Sequence, residues 1–276
     1  KPHLPFCAPR RYWDLYDRDS FALAAIKGLP EGAPEFAFQA SWELRGGYTG
    51  IPDGPLPEPL QRELIHGYHA CISFIDAQVG RLIDAIDDAG VADNTIVVLW
   101  GDHGWHLGDH GMWCKHTNYE QATRVPLVIC APDQTQAGGR VTAPVEFVDV
   151  FPTLCDLTSL PVPVGLEGTS MVTTLNDPTT AIKPAAVSQY PRQLPEGDVM
   201  GYAFRTERYR FIQWFPFDAK TPNSGGDRPL LANELYDYER DPAETRNVAD
   251  DPGYASVRAE MERIAATYWQ TRRPTR

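Results

Sequence analysis

Asp102 and His103 are adjacent in the run Trp100-Gly101-Asp102-His103-Gly104-Trp105. A hard carboxylate beside an imidazole suits a divalent cation, and an oxygen-rich shell would favour calcium or magnesium. The flanking glycines let backbone approach a ligand closely. The same residues also read as an Asp-capped turn at the end of a strand, and so short a motif does not separate the two. Lys115 follows thirteen residues after Asp102 in a loop rich in Gly and aromatic residues. Taken alone, a lysine is usually a solvated surface charge. His3 lies between Pro2 and Pro5. Those prolines hold a short extended segment, and alone it reads as a loop histidine without a role.

Three more histidines, His106, His110 and His116, crowd the same loop. Spacings of three and four invite a zinc reading. Gly104, Gly108 and Gly111 break any helix that would align them, and no Cys or Glu stands at a zinc-motif offset. They read instead as surface or supporting histidines. The five cysteines, Cys7, Cys71, Cys114, Cys130 and Cys155, are scattered. They form neither a dense disulfide framework nor a CxxC pattern, and read as buried free thiols, with one disulfide open in an exported protein.

The elements that must position these residues follow from periodicity. Leu60, Leu64, Ile65, Tyr68, Ile72, Ile75, Val79, Leu82, Ile83 and Ile86 recur at helical spacing, so residues 59–89 form one long amphipathic helix capped by Gly90. Asp93-Asn94 turns the chain into a β-branched strand over 95–100, and a second strand spans 125–130. Helix, strand, loop, strand is α/β grammar, and such folds place ligands at the carboxyl ends of strands, where Asp102 and His103 stand. Residues 1–58 are irregular, with helical turns such as 11–16, and loops this long usually border a site. A short helix fits 148–157. Strands fit 186–190, 201–206, 209–214 and 234–238, followed by an amphipathic helix over 252–271 through Val257, Met261, Ile264 and Tyr268. The simplest organisation is an α/β portion over 1–165 and, over 166–276, a small antiparallel sheet with a covering helix.

Bulk properties narrow the partners. With 276 residues and 42% hydrophobic content, the chain can bury a sizeable core. The net charge of −12 makes nucleic acid a poor partner, and an anionic substrate needs a locally positive pocket. No apolar window is long enough to span a membrane. Lys1 is preceded by no initiator Met and followed by no signal peptide, so the expectation is a fragment or a processed chain.

The ordered set Lys1-Pro2-His3-Leu4-Pro5-Phe6, the long helix, then Gly101-Asp102-His103-Gly104-Trp105 through Lys115, resembles the sulfatase branch of the alkaline phosphatase superfamily. Within it, the likeness is to the iduronate-2-sulfatase group and its bacterial relatives. It continues through Thr123-Arg124-Val125-Pro126-Leu127, Val150-Phe151-Pro152-Thr153-Leu154, Ser188-Gln189-Tyr190-Pro191-Arg192, Met200-Gly201-Tyr202 and Glu234-Leu235-Tyr236. The resemblance implies the C-terminal part of an alkaline-phosphatase-like sulfatase domain with a small C-terminal subdomain. It implies that Asp102 and His103 are calcium ligands and that Lys115 contacts the sulfate and the bridging oxygen. His3 would stand at the leaving oxygen, Trp105 would wall the sugar pocket, and Arg192 would reach the substrate rim or brace it. It further implies a sulfated carbohydrate substrate and a periplasmic, secreted or lysosomal location.

The family's nucleophile is a formylglycine made in a Cys-x-Pro-x-Arg segment, and two further aspartates complete its calcium shell. Both belong upstream of the Lys-Pro-His motif, so the resemblance places them on an N-terminal chain or segment of the same precursor. Cys7-Ala8-Pro9-Arg10-Arg11 matches the short pattern but is read as a decoy. Tyr16-Asp17 stand where the longer signature closes with Thr-Gly or Ser-Gly, and the segment follows His3, where the family has other residues. The seven residues between Arg192 and Met200 form a shorter connection than in the human-type iduronate enzyme, which counts against iduronate specificity. A phosphatase or phosphodiesterase of the same superfamily, and a non-catalytic module binding sulfated glycans, are the competing readings.

Overall fold

Helix α3 (Glu58–Asp88) is the longest element of the computed structural model, which describes residues 1–135, 137–218, 220 and 228–271. Pro57 precedes it, a proline stands in its first turn, and Glu58 is placed to favour the positive end of the helix dipole. Gly90, at φ 66°, ends it in the left-handed conformation, and its N–H and that of Val91 return to the carbonyls of Asp87 and Ile86. The chain divides into two compact units, one of residues 1–29 and 38–128, the other of 30–37 and 129–276. The sequence-based boundary at 165/166 falls inside the second unit.

In the first unit, Leu64, Ile65 and Cys71 of α3 pack with Phe6, Leu44, Leu56, Trp113 and Cys114. Burying each large side chain contributes about 1.5–3 kcal/mol. Short helices α1 (Arg10–Trp13), α2 (Trp42–Gly47) and α4 (Glu120–Thr123) surround this core. Strand β1 (Val97–Trp100) pairs with β4 (Leu127–Cys130), whose first two residues belong to this unit. A two-residue hairpin, β2 (His106–Leu107) with β3 (Trp113–Cys114), interrupts the loop between them. Several expected core positions are not covered: Ile72 is 40% exposed, Leu82 66% and Trp100 47%.

In the second unit, α5 (Val150–Leu157) is entered through a capping box in which Asp149 and Glu146 satisfy each other's ends. Asp149 is fully buried and accepts from Lys183 Nζ at 2.7 Å and from the Thr169 N–H at 2.8 Å. After α6 (Val172–Asn176), the strands β5 (Ala186–Arg192), β6 (Val199–Arg205), β7 (Tyr209–Pro216) and β8 (Ala232–Asp237) form an antiparallel sheet in sequence order. Met200, Tyr202 and Phe204 alternate onto one face, where Phe211, Phe215 and Leu235 join them. Helix α7 (Ala255–Thr271) closes that face with Met261 and Ala265. The fold is therefore mixed α/β, with the expected small sheet and covering helix.

Candidate active site

The hairpin brings distant residues together by register alone. His106 pairs with Cys114 and Leu107 with Trp113, so Trp105 and Lys115 are the next positions along the ladder. Lys115 Nζ accordingly sits over the Trp105 ring, 5.2 Å from its centroid. The turn between the strands runs through Gly108, His110 and Gly111 at positive φ. Gly111 packs so tightly that a Cβ would lie 2.8 Å from the Lys27 carbonyl oxygen.

Helix α2 is stapled to this hairpin. Gln39 Nε2 donates to the Trp113 carbonyl and its Oε1 accepts from the Ser41 N–H, while Ser41 Oγ accepts from the Trp113 N–H at 3.0 Å. The staple sets Glu43 against Lys115, with Nζ donating to Oε1 at 2.5 Å. His3 arrives from the chain start. Phe6 packs against Tyr48, Tyr68 and Trp105, and Leu4 lies against Gly47, where a Cβ would come within 3.1 Å of it.

The His3 ring then faces Lys115 at 2.7 Å through Nε2. Its Nδ1 lies 3.0 Å from the Leu4 carbonyl, an acceptor, so Nδ1 carries the proton. Nε2 is left as the lone-pair nitrogen that accepts from the Lys115 ammonium. Glu43 Oε1 is 3.2 Å from the same Nε2, and Glu43 Oε2 is 3.7 Å from His116 Nδ1. Burial would raise the Glu43 carboxyl. The hydrogen bond and charge of Lys115, with His116 and His3 behind them, outweigh it and hold the group below its ordinary range. Next along the strand, burial pushes the Cys114 thiol up to about 12, and the Glu43 carboxylate adds to the effect.

Asp102 and His103 follow β1 directly, after the Gly101 N–H pairs with the Pro126 carbonyl at 3.1 Å. Gly104 touches α4: its N–H donates to the Ala122 carbonyl at 2.8 Å, and a Cβ there would lie 2.0 Å from the Gln121 carbonyl oxygen. The Asp102 carboxylate is 85% exposed, and its Oδ2 is 3.5 Å from His103 Nε2. His103 Nδ1 lies 2.9 Å from the Gly104 carbonyl, which fixes the proton there and leaves Nε2 with a free lone pair beside the carboxylate. This pair fits a cation as two of its ligands. Calcium takes six to eight, and among the described residues no third His, Cys, Asp or Glu joins them.

The Trp105 indole links the two halves. His103 lies 5.8 Å from it, His3 5.7 Å and Lys115 5.2 Å. Thus His3, Asp102, His103, Trp105 and Lys115 gather in the first unit. Arg192 lies in the second. It is buried, and its guanidinium donates to the Phe36 and Ala37 carbonyls at 3.1 and 2.9 Å, bracing that segment. His106 Nε2 pairs with Thr117 Oγ1 at 2.8 Å, and His110 Nδ1 lies 3.3 Å from the Gly28 carbonyl. All five cysteines are free; Cys71, Cys114 and Cys155 are buried, whereas Cys7 and Cys130 are exposed, contrary to the expectation for those two. Sequence reasoning missed Glu43. Its only signal was Ser41-Trp42-Glu43-Leu44-Arg45, a short helical and charged run inside a Pro/Gly-rich stretch.

Comparison with known proteins follows the same lines. A family model described as sulfatase matches residues 2–160, and one described as N-sulphoglucosamine sulphohydrolase, C-terminal, matches residues 108–269. The chain is 32% identical to iduronate 2-sulfatase of Mus musculus over 93% of its own length and 58% of that protein's. It therefore spans less than two thirds of that relative. A structure solved in complex with its substrate D-glucosamine-2-N,6-O-disulfate superposes with a TM-score of 0.78 at 22% identity, covering 99% of this chain and 65% of that one. A phosphonate monoester hydrolase from Silicibacter pomeroyi gives 0.78 at 24% identity, covering 99% of this chain and 55% of that one. At these identities the two structures share the fold alone.

Proposed function

The chain belongs to the sulfatase family, whose model covers more than half of it, and from that premise we propose that it serves hydrolysis of a sulfate monoester on a sulfated sugar. The carrying observation is the Trp105 indole, with His103, Lys115 and His3 each within 6 Å of its ring and Asp102 beside His103. A sulfate ester carries negative charge on its non-bridging oxygens and, late in cleavage, on the leaving alkoxide. Lys115 supplies a fixed positive charge to those oxygens. His3 stands at the same point, and the proton for the leaving oxygen resides on the Lys115–His3 hydrogen bond, at Lys115 Nζ in the tautomer that the Leu4 carbonyl imposes. Trp105 gives the sugar an apolar wall. Asp102 and His103 would hold calcium, which when bound supplies further charge stabilisation to the sulfate oxygens.

In this reading the nucleophile is a formylglycine on a segment outside this sequence, and Cys7 is not its precursor. The exposed apolar residues of α3 and β1 support a covering segment, because apolar faces of this kind are normally buried against a partner. The names of the relatives support a sulfated sugar as the substrate class. An exported or lysosomal setting belongs to the same proposal. The test is a parallel assay of a sulfated disaccharide and the matching phosphate ester, with and without calcium, on the protein joined to its upstream segment. Calcium-dependent release of sulfate is expected. Turnover of the phosphate ester alone would overturn the reading.

A further inference from the structure

Glu43 is the acidic partner of Lys115 and lies beside His3. Its Oε1 is 2.5 Å from Lys115 Nζ and 3.2 Å from His3 Nε2, and its Oε2 is 3.7 Å from His116 Nδ1. Trp42, on the same helix, lies against the His116 ring at 4.6 Å and closes that side. The groups facing the carboxylate are thus Lys115, His3 and His116, with the Cys114 thiol behind them. We propose, resting on the sulfatase reading above, that Glu43 is a positioning residue that aims Lys115 at His3. By cancelling one positive charge, it also tunes the site for singly charged sulfate esters over doubly charged phosphate esters.

The positioning argument is geometric. A lysine ammonium has three rotatable donors on a flexible stem and no preferred direction of its own. The Glu43 oxygen, held by the Gln39 and Ser41 staple to β3, draws Nζ to the one place within hydrogen-bond reach of His3 Nε2. His3 is more than half exposed, so the Glu43 anchor restrains a pair that solvent would otherwise loosen.

The charge argument is a matter of sign. An ester anion bound to Lys115 lies within a few ångströms of the Glu43 carboxylate and is repelled by it. The repulsion doubles for a dianion. At roughly 6 Å and a dielectric between that of a protein surface and water, each unit of like charge weakens binding on the order of tenfold. Phosphate monoesters lose their second proton near pH 6, whereas sulfate monoesters stay singly charged. A partly buried carboxylate beside Lys115 therefore penalises the phosphate ester selectively above that pH.

Phenyl sulfate and phenyl phosphate binding at pH 8 to the wild-type protein, Glu43→Gln and Glu43→Asp tests this, together with the nitrogen NMR signals of the His3 ring, which report its hydrogen bond with Lys115. Glu43→Gln is expected to favour phenyl phosphate over phenyl sulfate by about tenfold relative to wild type, and to shift the His3 Nε2 signal as its hydrogen bond from Lys115 loosens. Glu43→Asp, which keeps the charge on a shorter stem, should retain the sulfate preference while loosening the Lys115–His3 contact. An acidic residue in the first turn of α2 could instead serve only the helix. Lower thermal stability in Glu43→Gln with equal changes for both anions and unmoved His3 ring signals would overturn the proposal, as would binding of neither anion by the wild type. Neither readout needs turnover, so both shifts with no sulfate release by the protein joined to its upstream segment would defeat the sulfatase reading and leave the role of Glu43 at Lys115 standing.

Discussion

Lys115 Nζ and His3 Nε2 lie 2.7 Å apart, although 112 residues separate them in the chain. Three independent devices produce that meeting. The β2–β3 register places Lys115 beside Trp105, the Gln39 and Ser41 bonds bring α2 to the same strand, and Phe6 seats the His3 segment against Trp105.

If the pair acts as a unit at the ester oxygen, removing either member removes most of the effect. Lys115→Ala and His3→Ala are each expected to lower kcat for a sulfate ester by roughly 100- to 1000-fold, the usual loss for one charge-stabilising donor. The double variant should lose far less than the product of the two, because the residues share one hydrogen bond. Steady-state kinetics of the four proteins, each joined to the upstream segment, checks this, and multiplicative losses would show that the two act separately.

Much of this arrangement was legible in the residues. The period of Leu60 to Ile86 marked α3, and the alternation around Met200-Gly201-Tyr202 marked β6, because burial repeats at 3.6 and 2 are written in side-chain type. Asp102, His103, Lys115 and His3 were singled out through ordered motifs, since their local context alone fits a turn, a surface charge and a loop histidine. Glu43 was not found. Its role depends on the staple from Gln39 to Trp113, a contact across 74 residues that no local pattern announces. The exposure of Ile72 and Leu82 was equally invisible, because periodicity shows which face is apolar and not what covers it.

Gly104 is predicted to tolerate no side chain. A Cβ would lie 2.0 Å from the Gln121 carbonyl oxygen and 3.0 Å from that of Arg124, both backbone atoms that cannot rotate away. Gly104→Ala should cost about 1–3 kcal/mol or more as α4 or the Asp102–His103 loop is pushed aside. Gly80, in the interior of α3, has no atom within 4 Å of a built Cβ. Gly80→Ala should therefore stabilise by roughly 0.5–1 kcal/mol. Urea denaturation of the two variants measures the contrast.

Thiol accessibility should split the cysteines by position. Cys7 and Cys130 are exposed, while Cys71, Cys114 and Cys155 are buried. Reactivity needs an accessible thiolate, and Cys114 titrates only at about 12. In the native protein at pH 8 a disulfide reagent should label Cys7 and Cys130 quickly, and the remaining three only after denaturation. Peptide mapping by mass spectrometry identifies the labelled sites, and fast labelling of Cys114 would contradict the packing of β3.

Acid should weaken the second unit through Asp237. The Arg208 guanidinium grips this carboxylate with two bonds of 2.8 Å, which outweighs burial, and the Tyr254 hydroxyl adds a third at 3.0 Å. The group is thereby held below its unperturbed value of 3.8. A carboxyl whose folded pKa is depressed binds a proton more readily in the unfolded chain. Its contribution is fully present above about 3.8, and is lost as pH falls from there through the lower folded value. Asp237→Asn should unfold more easily near neutrality, because Arg208 loses its buried ionic partner and keeps only the exposed Glu239, yet show a flatter stability profile between pH 4 and the acid limit, on the order of one proton fewer taken up on unfolding. Urea midpoints measured across that range give the slope directly, and an unchanged slope in Asp237→Asn would assign the acid sensitivity to other carboxylates of that unit.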